Sequence, residues 1–435
     1  MNETTGAFER QRGHRIFTRG GGPLRKRMLR IVTPAVATML MVLPARESVA
    51  GQNPDGVSWN IEVHTVGRFQ AFNQRATLVQ TVDGETVETE KGRTQPGLQH
   101  SIGNIGWRLF WGDYLEVFFD ATMASRVAAD KWWGHQGYMI VRRLPEDSPV
   151  AGANLLLEHI DIKAGQFVID FGNEHQRRTF NADVQRNPLV GNPIVSPHAT
   201  EVGVEIRHQN PIGLGAMIGF GSGVATESFD RDARPSARGK VWVGHPGSGG
   251  MEAAASFYRV RHGSSIVRGS NLFRTDRLGG QYGGIWDEGY TPGQAMLGDG
   301  TQLTAWQLDA GWTSPSDQSG FWGFFGRVED ARGPTDEIWN YYGLTGKFYL
   351  APQALYVAAR YSAADAQRFL GADDNDGSMD RWQIGAGVHL LAIAQMKVEY
   401  VHQRTSGFSH GTLSGVSLAE DPWFSGLIAE VSLSF

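Results

Sequence analysis

Gly407-Phe408-Ser409-His410-Gly411 has the G-x-S-x-G spacing of a nucleophile elbow, a strained turn that exposes a serine hydroxyl for acyl transfer. The turn must lead into a helix, and 412–422 carries no helical periodicity, so the segment reads as a loop and no catalytic residue is assigned. The acidic tract Asp373-Asp374-Asn375-Asp376 misses the calcium-loop pattern, with Ala372 at the first ligand place and Gln383 where the bidentate Glu belongs. The 12 histidines after residue 50 form no H-x-x-x-H or H-x-H pair, and the chain has no cysteine. Zinc–thiolate sites and thiol catalysis are excluded, and no metal or cofactor is expected. The remaining chemistry is that of fixed cations, since guanidinium and ammonium groups recognise oxyanions.

Those cations recur within segments of about ten residues that alternate with period two, the pattern of strands with two unlike faces. In 425–435, Leu427, Ala429, Val431, Leu433 and Phe435 share one face, and Gly426, Ile428, Glu430, Ser432 and Ser434 the other. In 381–390, Trp382, Ile384, Ala386, Val388 and Leu390 oppose Arg381, Gln383, Gly385, Gly387 and His389. Segments 395–404 and 354–362 repeat the arrangement. A soluble sandwich would alternate in the same way.

Four features favour a membrane barrel instead. Aromatics stand near strand ends (Trp107 and Trp111, Trp306 and Trp312, Tyr342 and Phe348), as interfacial girdles require. Short connections (391–394, 350–353, 314–319, 209–211) contrast with long ones (405–424, 363–380, 270–302). Arg25, Lys26, Arg27 and Arg30 precede the charge-free run 31–45 and Ser48-Val49-Ala50, which reads as a secretory signal peptide over 1–50 with cleavage after Ala50 and either Met1 or Met28 as the start. The chain also ends on a strand that finishes in Phe435. The expected fold is all-β, a transmembrane antiparallel β-barrel of about 16 strands over 51–435, or 18 if 127–159 holds two more. About four strands are expected from 51–126.

The first 50 residues hold nine Lys/Arg and three Asp/Glu, which leaves 31 basic against 42 acidic residues and a net charge of −11 in the exported chain. Such a chain is a poor nucleic-acid binder. Strand faces nonetheless place a basic set in the lumen: Arg108, Arg126, Lys163, Arg207, Lys240, Arg259, Arg261, Arg327, Lys347, Arg360, Arg381 and Lys397. Glu116, Asp120, Asp161, Glu205, Asp309, Glu399 and Glu430 oppose them. A positive wall favours anions; alternatively these charges pair with one another and solvate the wall.

Lys163-Ala164-Gly165-Gln166-Phe167 followed by Phe171-Gly172-Asn173-Glu174 resembles the Gly-Gln-Phe-Lys-x-Pro-Phe-Gly-x-Glu strand of phosphate-selective-type porins, with Val168 in place of the Lys and Asp170 in place of the Pro. Gly106-Trp107-Arg108-Leu109 and Lys397-Val398-Glu399-Tyr400 add to the likeness. The resemblance implies a long loop folded into the barrel, here 173–198, with Glu174, His175, Arg177, Arg178 and Arg186 at a constriction. An external loop whose charges face water or lipopolysaccharide is the alternative. The resemblance also implies a homotrimer in the outer membrane of a Gram-negative-type bacterium, among lipid and lipopolysaccharide. The expected function is passive diffusion of small hydrophilic solutes with a preference for anions such as phosphate, not an enzyme activity. A sugar- or solute-specific channel is the alternative, and an outer-membrane hydrolase or adhesin the third reading.

Overall fold

The computed structural model describes residues 51–435 except 53–55, 83–84, 100, 125–131, 134–135, 199, 224–234, 245, 247–248, 262–281, 283–284, 286–301, 317, 332–336, 369–376, 408–411, 414–415 and 419–420. The expected signal peptide, the acidic tract at 373–376, Arg126 and Ser409 lie outside the described residues.

Sixteen antiparallel strands form the wall. They are β1 (Val57–Val82), β2 (Ile102–Trp111), β3 (Leu115–Ala124), β4 (Gly137–Val141), β5 (Asp161–Val168), β6 (Thr200–Gln209), β7 (Gly215–Gly221) and β8 (Ser236–Val243). The second half comprises β9 (Gly250–Arg261), β10 (Gln302–Thr313), β11 (Gly320–Asp330), β12 (Glu337–Ala351), β13 (Leu355–Arg368), β14 (Ser378–Leu391), β15 (Ala394–Ser406) and β16 (Trp423–Ser434). Each pairs with its neighbours, and β1 closes the ring. Its first half pairs with β2 (Val57↔Trp111 to Val66↔Ile102) and its middle with β16 (His64↔Ser434 to Arg75↔Trp423). Closure satisfies every wall strand's backbone and removes sheet edges, the condition for a sheet to cross a bilayer. No helix among the described residues is long and apolar enough to cross a membrane.

Among the described residues, 51–126 supply three wall strands rather than about four, and the sixteenth is the five-residue β4, inside 127–159. The reason is the length of β1, whose upper part leaves the wall and makes a hairpin with Glu85–Lys91. One long strand therefore holds apolar alternation that suggests two.

Period-two alternation sorts the faces. On β14, Trp382 and Ile384 are exposed, whereas Arg381 and Gln383 are buried; on β16, Leu427 is exposed and Glu430 buried. The outward face carries two aromatic belts. Trp111, Trp312, Phe321 and Phe348 lie toward one rim, and the outward pairs Trp306–Phe325 and Tyr361–Trp382 toward the other, as expected at the two interfaces of a bilayer. Connections at the first rim are short (112–114, 210–214, 244–249, 314–319, 352–354, 392–393), apart from 142–160, which holds a 3-10 turn Ala151–Ala153 and one helical turn Asn154–Leu157. Connections at the opposite rim are longer.

The longest described one, 169–198, turns into the barrel, and nearly all of it is buried. Ile169, Phe171, Ile194 and Val195 pack on Tyr258, Val260, Leu303, Val328 and Trp339 of the wall. Val190 joins Tyr282, Phe72 and Phe424. The lumen thus has an apolar core on the β9–β16 side.

Candidate pore lining

Strand β5 launches the inner segment. Gly165 takes φ +129°, and a Cβ there would stand 2.4 Å from the Gly137 carbonyl oxygen, so only glycine lets β4 pass this close. Gly172 takes φ +70° where the segment bends toward β9 and β10. There the Gly172 N–H donates to Ser256 Oγ (3.0 Å) and the Asn173 N–H to Asp309 Oδ1 (3.0 Å).

Asp170 sits at the root. Lys240 Nζ lies 2.7 Å from Oδ1, Arg207 pairs with Oδ2, and His175 Nε2 lies 3.3 Å away. Burial alone would raise the Asp170 carboxyl, but these three neighbours outweigh it and hold the group well below the usual carboxylate range. Burial, helped by Lys240 and Arg207, lowers His175 to about 4 despite the attraction of Asp170, so its imidazole is neutral at pH 7. Its Nδ1 lies 2.8 Å from the Gly172 carbonyl oxygen, which accepts its proton.

Arg177 is buried and donates both terminal nitrogens to Glu252, NH1 to Oε1 and NH2 to Oε2, each at 2.6 Å, with its guanidinium carbon 4.2 Å from the Trp322 ring centre. Glu174 and Arg178 are buried as well, and among the described residues neither Glu174 oxygen has a hydrogen-bond partner. Arg186 pairs with Asp183 and is the most exposed of the five.

The wall cations of β13 to β15 hold the far part of the segment. Arg360 donates to the Gly191 carbonyl (2.7 Å) and Asn187 Oδ1 (3.1 Å), and Arg381 to the Asn192 carbonyl (2.9 Å). Lys397 Nζ donates to the carbonyls of Val184 (2.8 Å), Asn187 (3.2 Å) and Leu189 (3.1 Å). Glu399 answers from the same wall, accepting the Val190 and Gly191 N–H groups at 2.7 and 3.0 Å and the Tyr282 hydroxyl at 2.5 Å. These side chains replace the water that an irregular backbone would otherwise need.

The opposite wall faces water. Arg108 reaches Glu62 (3.4 Å) and Glu116, and Arg142 reaches Glu116 (2.6 Å) and Asp161 (3.8 Å). Their exposures of 28% (Arg108), 40% (Arg142), 35% (Glu62) and 46% (Asp161) contrast with 1% for Lys397. Lys163 lies over the rings of Tyr138 (4.1 Å) and Phe167 (4.4 Å).

Three expected lumen residues face the other way. Arg259 and Arg327, with Arg261, lie on the outer face, because the buried positions of β9 and β11 are Tyr258 and Val260 and Phe324 and Val328. Polar-inward parity inverts there because the inner segment makes the lumen apolar at that height. Arg327 instead pairs outside with Glu329 at 2.7 Å. Sequence reasoning also missed Arg68, paired with Glu430 at 2.7 Å, and Arg238, paired with Glu205 at 2.9 Å and Glu201 at 3.1 Å. Arg238 was legible, since it stands two residues before Lys240 and shares its face. Arg68 and Glu252 carried no such marker.

No family model matches the chain, and no curated protein matches it in sequence. Its structure is similar to that of the outer-membrane expressed OmpT of Vibrio cholerae, at TM-score 0.52 and 10% identity, over 89% of this chain and 100% of that one. A trimer form of that protein matches at TM-score 0.50 and 10% identity, over 87% and 99%. The outer membrane channel DcaP of Acinetobacter baumannii matches at TM-score 0.51 and 13% identity, over 88% and 99%. At these identities the likeness shows the fold, that of a 16-strand outer-membrane barrel of the porin type.

Proposed function

We propose that this chain is an outer-membrane porin, set among lipid and lipopolysaccharide as a homotrimer, through which small hydrophilic solutes diffuse passively with a preference for anions such as phosphate. The observation that carries the reading is the division of the lumen. One side is filled by the segment 169–198, and the other presents the water-facing charges Glu62, Arg108, Arg142 and Asp161. A buried segment beside a hydrated polar wall is the arrangement of a narrowed aqueous path.

The anion preference rests on a wall cation held by uncharged groups. Arg360 donates to the Gly191 carbonyl, Asn187 Oδ1 and Thr345 Oγ1, so its positive charge adds to the lumen potential. Within this reading Arg177 shapes the constriction sterically, because Glu252 neutralises it. The sugar-channel reading would need open aromatic faces. Phe118, Tyr138 and Phe167 do form a row, but Arg108 lies 4.7 Å over Phe118 and Lys163 covers the other two rings.

The test is flux through proteoliposomes holding the full chain, with neutral sugars of increasing size and with phosphate. The reading predicts unsaturable flux that falls steeply with sugar size and a phosphate flux above that of a cation of similar size. Saturable uptake of one sugar alone would support the specific channel, and absence of any flux would sink the diffusion reading.

A further inference from the structure

Lys347 is a lumen cation that, among the described residues, has no carboxylate within ion-pair distance. It lies on the inward face of β12, two residues before Tyr349, with Nζ 4.5 Å from the Tyr349 ring centre and 5.0 Å from that of Tyr356 on β13. His389 of β14 stacks on Tyr349 at 6.5 Å with the rings 18° apart, and lies 5.9 Å from Tyr356. The charged groups acting on Lys347 are Arg177 and Lys397, and those on His389 are Lys347 and Lys397, all cations. Arg68, Arg177, Arg207, Arg238, Lys240 and Lys397 each meet a carboxylate. Arg360 and Arg381 meet backbone carbonyls. Among the described residues Lys347 makes neither kind of contact.

Ring faces attract an ammonium, but they do not replace a counter-ion, and the carboxylates at Arg177 and Lys397 are taken up by those cations. The cluster also has a fixed donor arrangement. Gln395 holds the Tyr356 hydroxyl through its Nε2 at 3.2 Å, and the same nitrogen lies 3.4 Å from His389 Nε2. With His389 Nε2 accepting there, the imidazole proton sits on Nδ1. Leu189 of the inner segment packs on Tyr349 and Tyr356, so the cluster lies against that segment on the short-turn side.

The geometry points to an oxyanion-binding station formed by Lys347 and His389, where a small phosphate or carboxylate pauses after passing the inner segment. The anion takes hydrogen bonds from Lys347 Nζ and the His389 N–H, while Tyr349 and Tyr356 hold the two donors in place. The station deepens the anion-porin reading and rests on it for its role in transport, but binding itself is measurable without conduction.

Inorganic phosphate is the probe. In 31P NMR of the detergent-solubilised full chain, the phosphate line broadens saturably with wild type and with Lys347→Arg, and the broadening falls at least fivefold with Lys347→Gln. In planar bilayers, Lys347→Gln lowers the chloride-to-potassium permeability ratio about threefold and leaves the conductance open. Arg327→Gln, on the outer face, changes neither readout. Equal broadening by wild type and Lys347→Gln, or none by wild type, overturns the station. Saturable binding by a wild type that does not conduct upholds the station and overturns the channel reading.

Discussion

Arg177 of the inner segment and Glu252 of β9 are joined by two parallel hydrogen bonds of 2.6 Å, the bidentate geometry that a guanidinium makes with a carboxylate. The pair takes a cation that the sequence offers as an anion selector and spends it on holding the segment to the wall. Glu252→Gln frees that charge, and the expected result is a rise of roughly threefold in anion-to-cation permeability ratio. Arg177→Ala leaves Glu252 buried and unpaired and shifts the ratio the other way. Reversal potentials in a potassium chloride gradient measure both.

Lys397 is the point where three of the inner segment's carbonyls converge, and its Nζ also lies 2.6 Å from Glu430. Lys397→Met strands three carbonyls and leaves Glu430 to Arg68 alone, a loss of about 1–3 kcal/mol for each carbonyl left unsatisfied. The β-sheet signal in circular dichroism should persist, while limited proteolysis of the folded barrel opens new cuts within 184–189. Resistance equal to that of wild type would show that the segment docks without Lys397.

Docking should also weaken in mild acid. The folded-state pKa of His175 is about 4, below its unfolded value near 6.5, so between these limits the unfolded segment binds more protons than the folded one. Docking stability from this group is fully present above pH 6.5 and is lost as pH falls toward 4. Asp170, held low by Lys240, His175 and Arg207, loses its contribution only below the usual carboxylate range. Current noise and proteolytic opening should therefore increase between pH 7 and pH 4.5, and His175→Gln should flatten that change.

Gly165→Ala forces a Cβ to 2.4 Å from the Gly137 carbonyl oxygen and to 2.6 Å from the Tyr138 Cα, both backbone atoms, at a φ that side chains rarely adopt. The expected cost is about 2–4 kcal/mol, read as a lower temperature for the heat-induced shift of the folded barrel in gel electrophoresis. Gly172→Ala meets the Gln307 side chain, which can move, and should cost less.

Much of the wall was legible because lipid and lumen impose opposite demands on alternate residues, and β14 over 379–387 and β16 over 427–432 show this. The same rule misplaced Arg259 and Arg327. Near the long-loop rim the inner segment turns part of the lumen into an apolar core, so Val260 and Val328 point inward and the arginines outward. The Gly-Gln-Phe likeness identified a stretch whose glycines have backbone reasons, but not the partners of its charges. Asp170, a departure from that pattern, is the anchor for Lys240, Arg207 and His175. Contacts such as Lys397 with Val184, Asn187 and Leu189, about 210 residues away, follow from how the segment folds back and leave no local pattern.

The central claim is that 169–198 narrows an aqueous path through a 16-strand barrel. Single-channel conductance in planar bilayers, compared between wild type and a variant in which 178–192 is replaced by a short Gly-Ser link, tests it most directly. The account predicts that the variant, still heat-modifiable as a folded barrel, conducts at least about twofold more current per channel. Equal or lower conductance from a folded variant would show that the path lies elsewhere and that the inner segment does not set its width.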